Sequence, residues 1–173
     1  MSLVASFLDI APFTWSAIGT AILCGAVIGL ERQIRGKPVG IRTSSLIILG
    51  TYLFLATALM LESDSVDPSR VVGQLITGIG FLGAGVMLAK DGAVVGVTSA
   101  ATIWVLAALG VLVAFGYLAQ TIKLSLLVVM ILYGVDLLED HIKGLSRGVH
   151  SRVSRRFPQK DAGELRKTNS DGL

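Results

Sequence analysis

The chain has 173 residues, 53% of them hydrophobic, and its mean hydropathy of +0.73 excludes an ordinary water-soluble domain. Its length leaves room for one domain, and its single cysteine, Cys24, excludes an intrachain disulfide and indicates a buried small hydrophobic side chain. The net charge of +3 comes without interleaved aromatic residues or a nucleic-acid-binding module, so we expect no nucleic-acid partner.

Five apolar segments of helical length follow one another along the chain. Before them, residues 1–14 lack a basic start and contain Asp9, so we expect an extracytoplasmic segment rather than a cleaved signal peptide. The predicted spans are residues 15–30, 43–61, 71–88, 97–114 and 122–138. Because these runs are apolar on every face, they favour helices over the alternating strands of a barrel. We therefore predict an all-α membrane protein with a five-helix transmembrane domain over residues 15–138.

The basic residues predict how these spans are oriented. Of the 15 lysines and arginines, only Arg70 and Lys123 fall outside the first loop, the third loop and the C-terminal tail. An odd number of spans brings those three regions to one side, which the positive-inside rule assigns to the cytoplasm. The N-terminus would then lie outside, and residues 139–173 would form a basic cytoplasmic tail. We expect this tail to be a mobile segment, attracted to anionic lipid by about 1 kcal/mol per basic side chain near the surface.

The stretch "GIGFLGAG", residues 78–85, matches the dinucleotide fingerprint G-x-G-x-x-G, with Gly78, Gly80 and Gly83 at the three glycine positions. That fingerprint requires a preceding buried strand and an acidic residue about 20 positions further on for the ribose. Here the motif lies inside the uncharged run 71–88, and no acidic residue stands at the required distance. We therefore expect no nucleotide cofactor.

We interpret these glycines instead as helix-packing residues. In lipid, small residues let helix backbones approach closely, so the third helix would be the central one, with a matching stripe on the first helix. The predicted packing residues are Gly25, Gly29, Gly78, Gly80, Gly83 and Gly85. The alternative is a bent or partly unwound third helix, because clustered glycine weakens helices and broken helices line binding sites in many transporters.

A weak internal repeat adds to this pattern. A shift of 56 positions places Gly29 on Gly85 and Gly40 on Gly96. The first and third loops therefore look alike, as expected for a parallel repeat of two-helix hairpins.

Charged and polar residues gather near the predicted inner ends of the helices. Glu31 and Arg35 are four residues apart and can pair on one helix face, but we favour a contact between Glu31 and Arg42 that ties the first loop into the bundle. Asp136, the only acidic residue inside a predicted span, could also meet Arg35 or Arg42. The candidate functional polar cluster comprises Glu31, Arg32, Arg35, Arg42, Thr43, Arg70, Thr98 and Asp136.

No set of catalytic residues emerges from the sequence. The spans contain no histidine base, no nucleophile elbow and no carboxylate pair at helical spacing, so we expect no enzyme. Asp64 and Asp67 lie in a loop and are too few for a convincing Mg²⁺ site. We therefore expect no direct Mg²⁺ binding and no cofactor.

Four motifs, "GLER", "GIRT", "GIGFLGAG" and "TSAATIW", in this order and spacing, resemble the MgtC/SapB family of bacterial inner-membrane proteins over about residues 19–138. The resemblance implies five helices, a plasma-membrane location and a link to adaptation to low Mg²⁺, with virulence factors among members from pathogens. It also implies action on the F-type ATP synthase rather than Mg²⁺ transport. The residues that carry over by position are Glu31, Arg32, Arg42, Thr43, Arg70, Gly78, Gly80, Gly83, Gly85 and Trp104, which we expect to pack with the glycines.

Two departures from the family stand out. Residues 139–173 are too short and too polar for the ACT-like C-terminal domain of some members, so we expect a short form. Thr98 stands where some members have Asn, and Val105 where some have Cys, which puts any role of those side chains in doubt.

Two functions remain open at this point. The first is a regulator that binds other membrane proteins or itself, in the setting of Mg²⁺ stress. The second is a small ion transporter or channel, although the scarcity of charge within the spans disfavours cation transport.

Overall fold

A computed structural model of the protein describes residues 9–61, 67–90 and 93–141. Within these ranges the chain forms five helices and a two-stranded hairpin. The helices are α1 (Trp15–Ile34), α2 (Ile41–Met60), α3 (Pro68–Gly85), α4 (Val97–Ala114) and α5 (Leu118–His141). The strands β1 (Leu88–Lys90) and β2 (Ala93–Val95) pair antiparallel, with Leu88 opposite Val95. Residues 1–8, Asp64 and most of the predicted tail, residues 142–173, lie outside the described part of the chain.

The helical membrane class is confirmed. Three of the described helices, α1, α2 and α4, are long and apolar enough to cross a bilayer. The apolar part of α5, Leu118–Gly134, is shorter. Helix α3 has 18 residues but is less apolar, because it includes Arg70, Gln74 and several glycines.

The sequence prediction is wrong where the third span ends. Helix α3 ends at Gly85, and Leu88 belongs to a strand rather than to a helix. The reason lies in the sequence "LAKDGAVV", where Asp-Gly separates two short runs rich in apolar residues, a strong signal for a hairpin. This hairpin fills the connection that was predicted to be a loop.

Local signals set the helix boundaries. Thr14 caps α1 by accepting a hydrogen bond from the Ala17 amide at 3.3 Å, and Asp67 caps α3 by accepting one from the Ser69 amide at 2.8 Å. Hydrogen bonds from Ser69 are the main reason that the pKa of Asp67 is lowered. Between α1 and α2, Val39 has a φ of 70°, which is unusual for a β-branched residue. Its side chain is buried in the core.

The core lies between α1, α2 and α4, with α5 packed against α1. Its largest fully buried hydrophobic side chains are Ile28, Ile48, Leu55, Ile103, Leu106 and Val113. Cys24 is buried among them, as predicted. Helix α3 lies at the periphery, where its main neighbours are α4 and α2.

Glycines allow the core helices to touch backbone to backbone. A Cβ atom at Gly25 would overlap Ser45 Cα, and one at Gly29 would lie 2.5 Å from Ile41 Cα. A Cβ atom at Gly110 would lie 2.6 Å from the Ile48 carbonyl oxygen. The absence of side chains at these positions therefore brings α1 and α4 against the backbone of α2.

The prediction that α3 is the central helix is wrong. A Cβ atom at Gly78, Gly80 or Gly85 would meet nothing within 4 Å, and only at Gly83 would it make an ordinary contact, with Ala100 Cβ at 3.7 Å. A small-residue stripe permits close packing but does not supply a neighbour. The alternative of a partly unwound helix is also wrong within α3, because α3 is continuous from Pro68 to Gly85.

Candidate functional site

A buried arginine on α1 contacts the start of α4. Arg32, in the last turn of α1, is 4% exposed, and its Nη2 atom donates a hydrogen bond to Ser99 Oγ at 2.5 Å. Ser99 lies in the first turn of α4 and is buried. The end of α1 and the start of α4 therefore meet at one end of the bundle, which we call the Arg32 end.

A second polar group forms on the adjacent face of α1. Glu31 Oε1 lies 2.8 Å from Arg35 Nε, and the Glu31 side chain is 8% exposed. The Arg35 guanidinium also stacks over the Tyr133 ring, with its carbon 4.8 Å from the ring centre. This chain of contacts ties α1 to α5 at the Arg32 end.

The Arg32 side chain forms part of the wall of a cavity of about 760 Å³, the Arg32 cavity. The α1–α2 loop contributes Lys37 to the wall, and the start of α4 contributes Thr98 and Ser99. The remaining described lining residues are Pro38, Val86, Leu88, Val94, Val95, Gly96, Val97, Ile131 and Leu132. The cavity thus combines an apolar body with a few basic and hydroxyl groups, as small-molecule sites commonly do.

A groove with a different character runs between α2 and α3. It has a volume of about 650 Å³, and most of its lining is apolar, including Leu46, Phe54, Leu75 and Leu82. We call it the α2–α3 groove. Its few polar side chains are Thr43, Thr51 and Gln74.

The structure brings only part of the predicted polar cluster together. Glu31, Arg32, Arg35 and Thr98 come together at the Arg32 end. Arg42 is exposed and does not line the Arg32 cavity. The favoured contact between Glu31 and Arg42 is wrong, because Arg35 lies one helical turn after Glu31 on the same face and pairs with it instead.

The other predicted residues lie elsewhere. Thr43 lines the α2–α3 groove, and Arg70 is exposed in the first turn of α3, at the opposite end of the bundle. Asp136 belongs to α5, but its side chain lies outside the described part of the structure. Trp104 is 56% exposed, so it faces away from the helix core that it was expected to join.

The predicted polar cluster left out four contributors to this end of the bundle. They are Lys37, Gly96, Ser99 and Tyr133. The shift of 56 positions contained the signal for Gly96, because it aligns Gly96 with Gly40, and these glycines are the N-cap residues of α4 and α2. Nothing in the sequence pointed to Tyr133.

Metal ligands do not gather among the described residues. No group of three or more His, Cys, Asp or Glu side chains lies close enough to hold a metal ion within the ranges 9–61, 67–90 and 93–141.

Several bacterial proteins are similar to this chain. YhiD of Escherichia coli (strain K12), whose full name proposes a magnesium transporter, is 43% identical over 129 residues, which cover 70% of this chain and 60% of that protein. Protein MgtC of Brucella abortus (strain 2308) is 36% identical over 118 residues, 68% of this chain and 49% of that protein. Protein MgtC of Salmonella typhimurium is 38% identical over 108 residues, 62% of this chain and 46% of that protein.

The chain thus spans about half to three fifths of the length of these relatives. No solved structure matches it. A sequence profile of the MgtC family matches residues 18–141, a range that includes all but the first residues of α1, the whole of α2 to α5, the hairpin and the Arg32 end. The chain belongs to the MgtC family of bacterial membrane proteins.

Proposed function

We propose that this protein is a non-enzymatic, multi-pass protein of the bacterial plasma membrane that regulates other membrane proteins by binding them within the bilayer. Its physiological setting is adaptation to low Mg²⁺, which the family resemblance and the magnesium-related name of YhiD support. The F-type ATP synthase is the partner that the resemblance names.

The exposed face of α3 is the observation that carries this proposal. Gly73, Thr77, Gly80 and Ala84 follow one another at helical spacing, and all four are exposed. Phe81 beside them is 81% exposed. A stripe of small residues allows another transmembrane helix to approach closely, so we assign this face to a helix of the partner protein.

The proposal includes five membrane-spanning helices, with the N-terminus outside and the C-terminus in the cytoplasm. The contact between Arg32 and Ser99 supports it, because it places the basic first loop and the start of α4 at the same end. We expect a reporter fused after residue 173 to be active only in the cytoplasm. Activity of that reporter only in the periplasm would contradict this orientation.

Replacing Gly80 by leucine is expected to abolish partner binding while leaving the protein folded. Gly80 has open space around it, so the leucine side chain disturbs no neighbour in this chain but blocks close approach by another helix. Copurification of the F-type ATP synthase and the effect of the protein on ATP-driven proton pumping in membrane vesicles should both fall several-fold. Membrane abundance and Tm should stay unchanged.

Gly134→Leu is the matched control for this experiment. Gly134 lies on α5, and a Cβ atom added there would also meet nothing within 4 Å, so the substitution adds the same volume on another surface. We expect it to leave copurification and pumping unchanged. Equal effects of the two substitutions, or none from Gly80→Leu, would show that the α3 face does not bind the synthase.

A second candidate function is ion transport, which the name of YhiD favours. Purified protein in liposomes loaded with a Mg²⁺-sensitive dye separates the two. Flux that requires the protein, in vesicles that contain no ATP synthase, would establish transport as the function. The regulator proposal instead expects the same dye signal as in empty liposomes.

A further inference from the structure

The charged groups among the described lining residues of the Arg32 cavity have one sign. Arg32 and Lys37 are both basic, and no carboxylate lies among the described residues of the wall. Glu31, the nearest acid on α1, is held against Arg35 and does not line the cavity. The described wall is therefore suited to a negatively charged ligand.

Hydroxyl groups add hydrogen-bond donors beside these cations. Ser99 Oγ accepts a hydrogen bond from Arg32 Nη2, and a hydroxyl that accepts can still donate its own hydrogen. Thr98, next to it on the wall, is exposed. The first turn of α4 thus offers two hydroxyl donors on the side where Arg32 lies.

The backbone at the start of α4 adds partial positive charge to the same cavity. Its N-cap residue is Gly96, no side chain caps its first amides, and its first turn contains no acid. Gly96, Val97, Thr98 and Ser99 all line the cavity. The amides of an uncapped helix N-terminus carry partial positive charge and bind oxyanions.

The geometry at Gly96 excludes a side chain at the N-cap position of α4. Its φ is 93°, and a Cβ atom would overlap the Val86 carbonyl oxygen. A side chain that could cap the helix in place of a ligand, such as Ser or Asp, therefore does not fit at this position.

We propose that the Arg32 cavity binds a phosphate-class oxyanion, held by Arg32, Lys37, the Ser99 hydroxyl and the first amides of α4. The cavity volume of about 760 Å³ lies within the usual range for small-molecule sites. Both free phosphate and the phosphate of an anionic lipid headgroup present this chemistry. The proposal does not depend on the protein partner proposed above, because the site involves neither the α2–α3 groove nor the exposed face of α3.

The test uses the full chain in nanodiscs of phosphatidylcholine, titrated with inorganic phosphate at constant ionic strength. We expect saturable binding by calorimetry and a rise in Tm, which chloride does not produce. Arg32→Gln and Lys37→Gln should each weaken binding by about tenfold or more, because each removes a charged hydrogen-bond donor. If the buried substitution Arg32→Gln prevents folding, Lys37→Gln and Ser99→Ala carry the test.

Arg42→Gln is the matched control, since Arg42 is basic and exposed but does not line the cavity. It should bind phosphate as the parent does. A second arm replaces part of the phosphatidylcholine by phosphatidylglycerol without free phosphate. A rise in Tm that Lys37→Gln abolishes and Arg42→Gln retains would identify the lipid headgroup as the source.

Binding that Lys37→Gln weakens and Arg42→Gln retains supports the proposal in either arm. The arm in which it occurs identifies the source of the phosphate. Absence of saturable binding in both arms would overturn it. Equal binding by the parent, Lys37→Gln and Arg42→Gln would also overturn it, because the anion would then be attracted by surface charge alone.

Discussion

Replacing Gly29 by alanine is expected to reduce the stability of the folded protein by about 1–3 kcal/mol or more, the range for overpacking a tight core. The added methyl group would lie 2.5 Å from Ile41 Cα, which is a backbone atom that no side-chain rotation can move away. Helices α1 and α2 must then separate, and the contacts of Gly25 with α2 are lost with them. The effect is measured as the Tm of the purified variant in detergent and as the abundance of the expressed variant in the membrane.

Alanine at Gly80 or Gly19 provides the control, because each of these helical glycines has open space around it. There the same substitution should leave stability unchanged or raise it by up to about 1 kcal/mol, since alanine favours helix more than glycine does. The opposite result, with Gly80→Ala destabilising and Gly29→Ala harmless, would place the tight interface on α3 rather than on α1.

Replacing Gly96 by alanine is the second substitution with a large expected effect. A left-handed backbone costs an ordinary residue about 1–2 kcal/mol, and Gly96 has a φ of 93°. The overlap of the new methyl group with the Val86 carbonyl oxygen adds to this cost. We expect a lower Tm and faster exchange of the first hydrogen-bonded amide of α4, that of Ala100, which donates to the Gly96 carbonyl oxygen at 2.9 Å.

Gly116→Ala separates the two contributions. Gly116 also has a positive φ, 80°, but a side chain there meets nothing within 4 Å. Gly116→Ala should therefore carry only the cost of the left-handed backbone conformation, and it should lower Tm less than Gly96→Ala does. Equal losses would mean that the contact with Val86 does not constrain this turn.

The helices were predictable from the sequence because long apolar runs leave few alternatives in a bilayer. Local chemistry that the prediction did not use marks where two of them start, Thr14 before α1 and Asp67-Pro68 before α3. The third span was therefore predicted to start at residue 71, three residues after the first residue of α3. The short hairpin was not predicted because the uncharged run 71–88 is long enough to form one continuous span. The Asp-Gly pair in the sequence between the two strands is a hairpin signal that the prediction did not use.

The arrangement of the helices was not predictable in the same way. Glycine stripes on α1 and α3 look alike in sequence, yet Gly29 meets a backbone and Gly80 meets open space. Which stripe is used depends on neighbours that come from distant parts of the chain. The same holds for Arg32, whose partner Ser99 lies 67 positions away, whereas the pairing of Glu31 with Arg35 follows from helical spacing alone.

The peripheral position of α3 also bears on how the protein is made. Synthesis proceeds from the N-terminus, so α1 and α2 are available to pack through Gly25 and Gly29 as soon as both are in the membrane. Helix α3 comes next, but most of its contacts are with α4, which is made afterwards. During biogenesis α3 therefore enters the membrane before its main neighbour has been made, and most of its packing can form only after α4 follows.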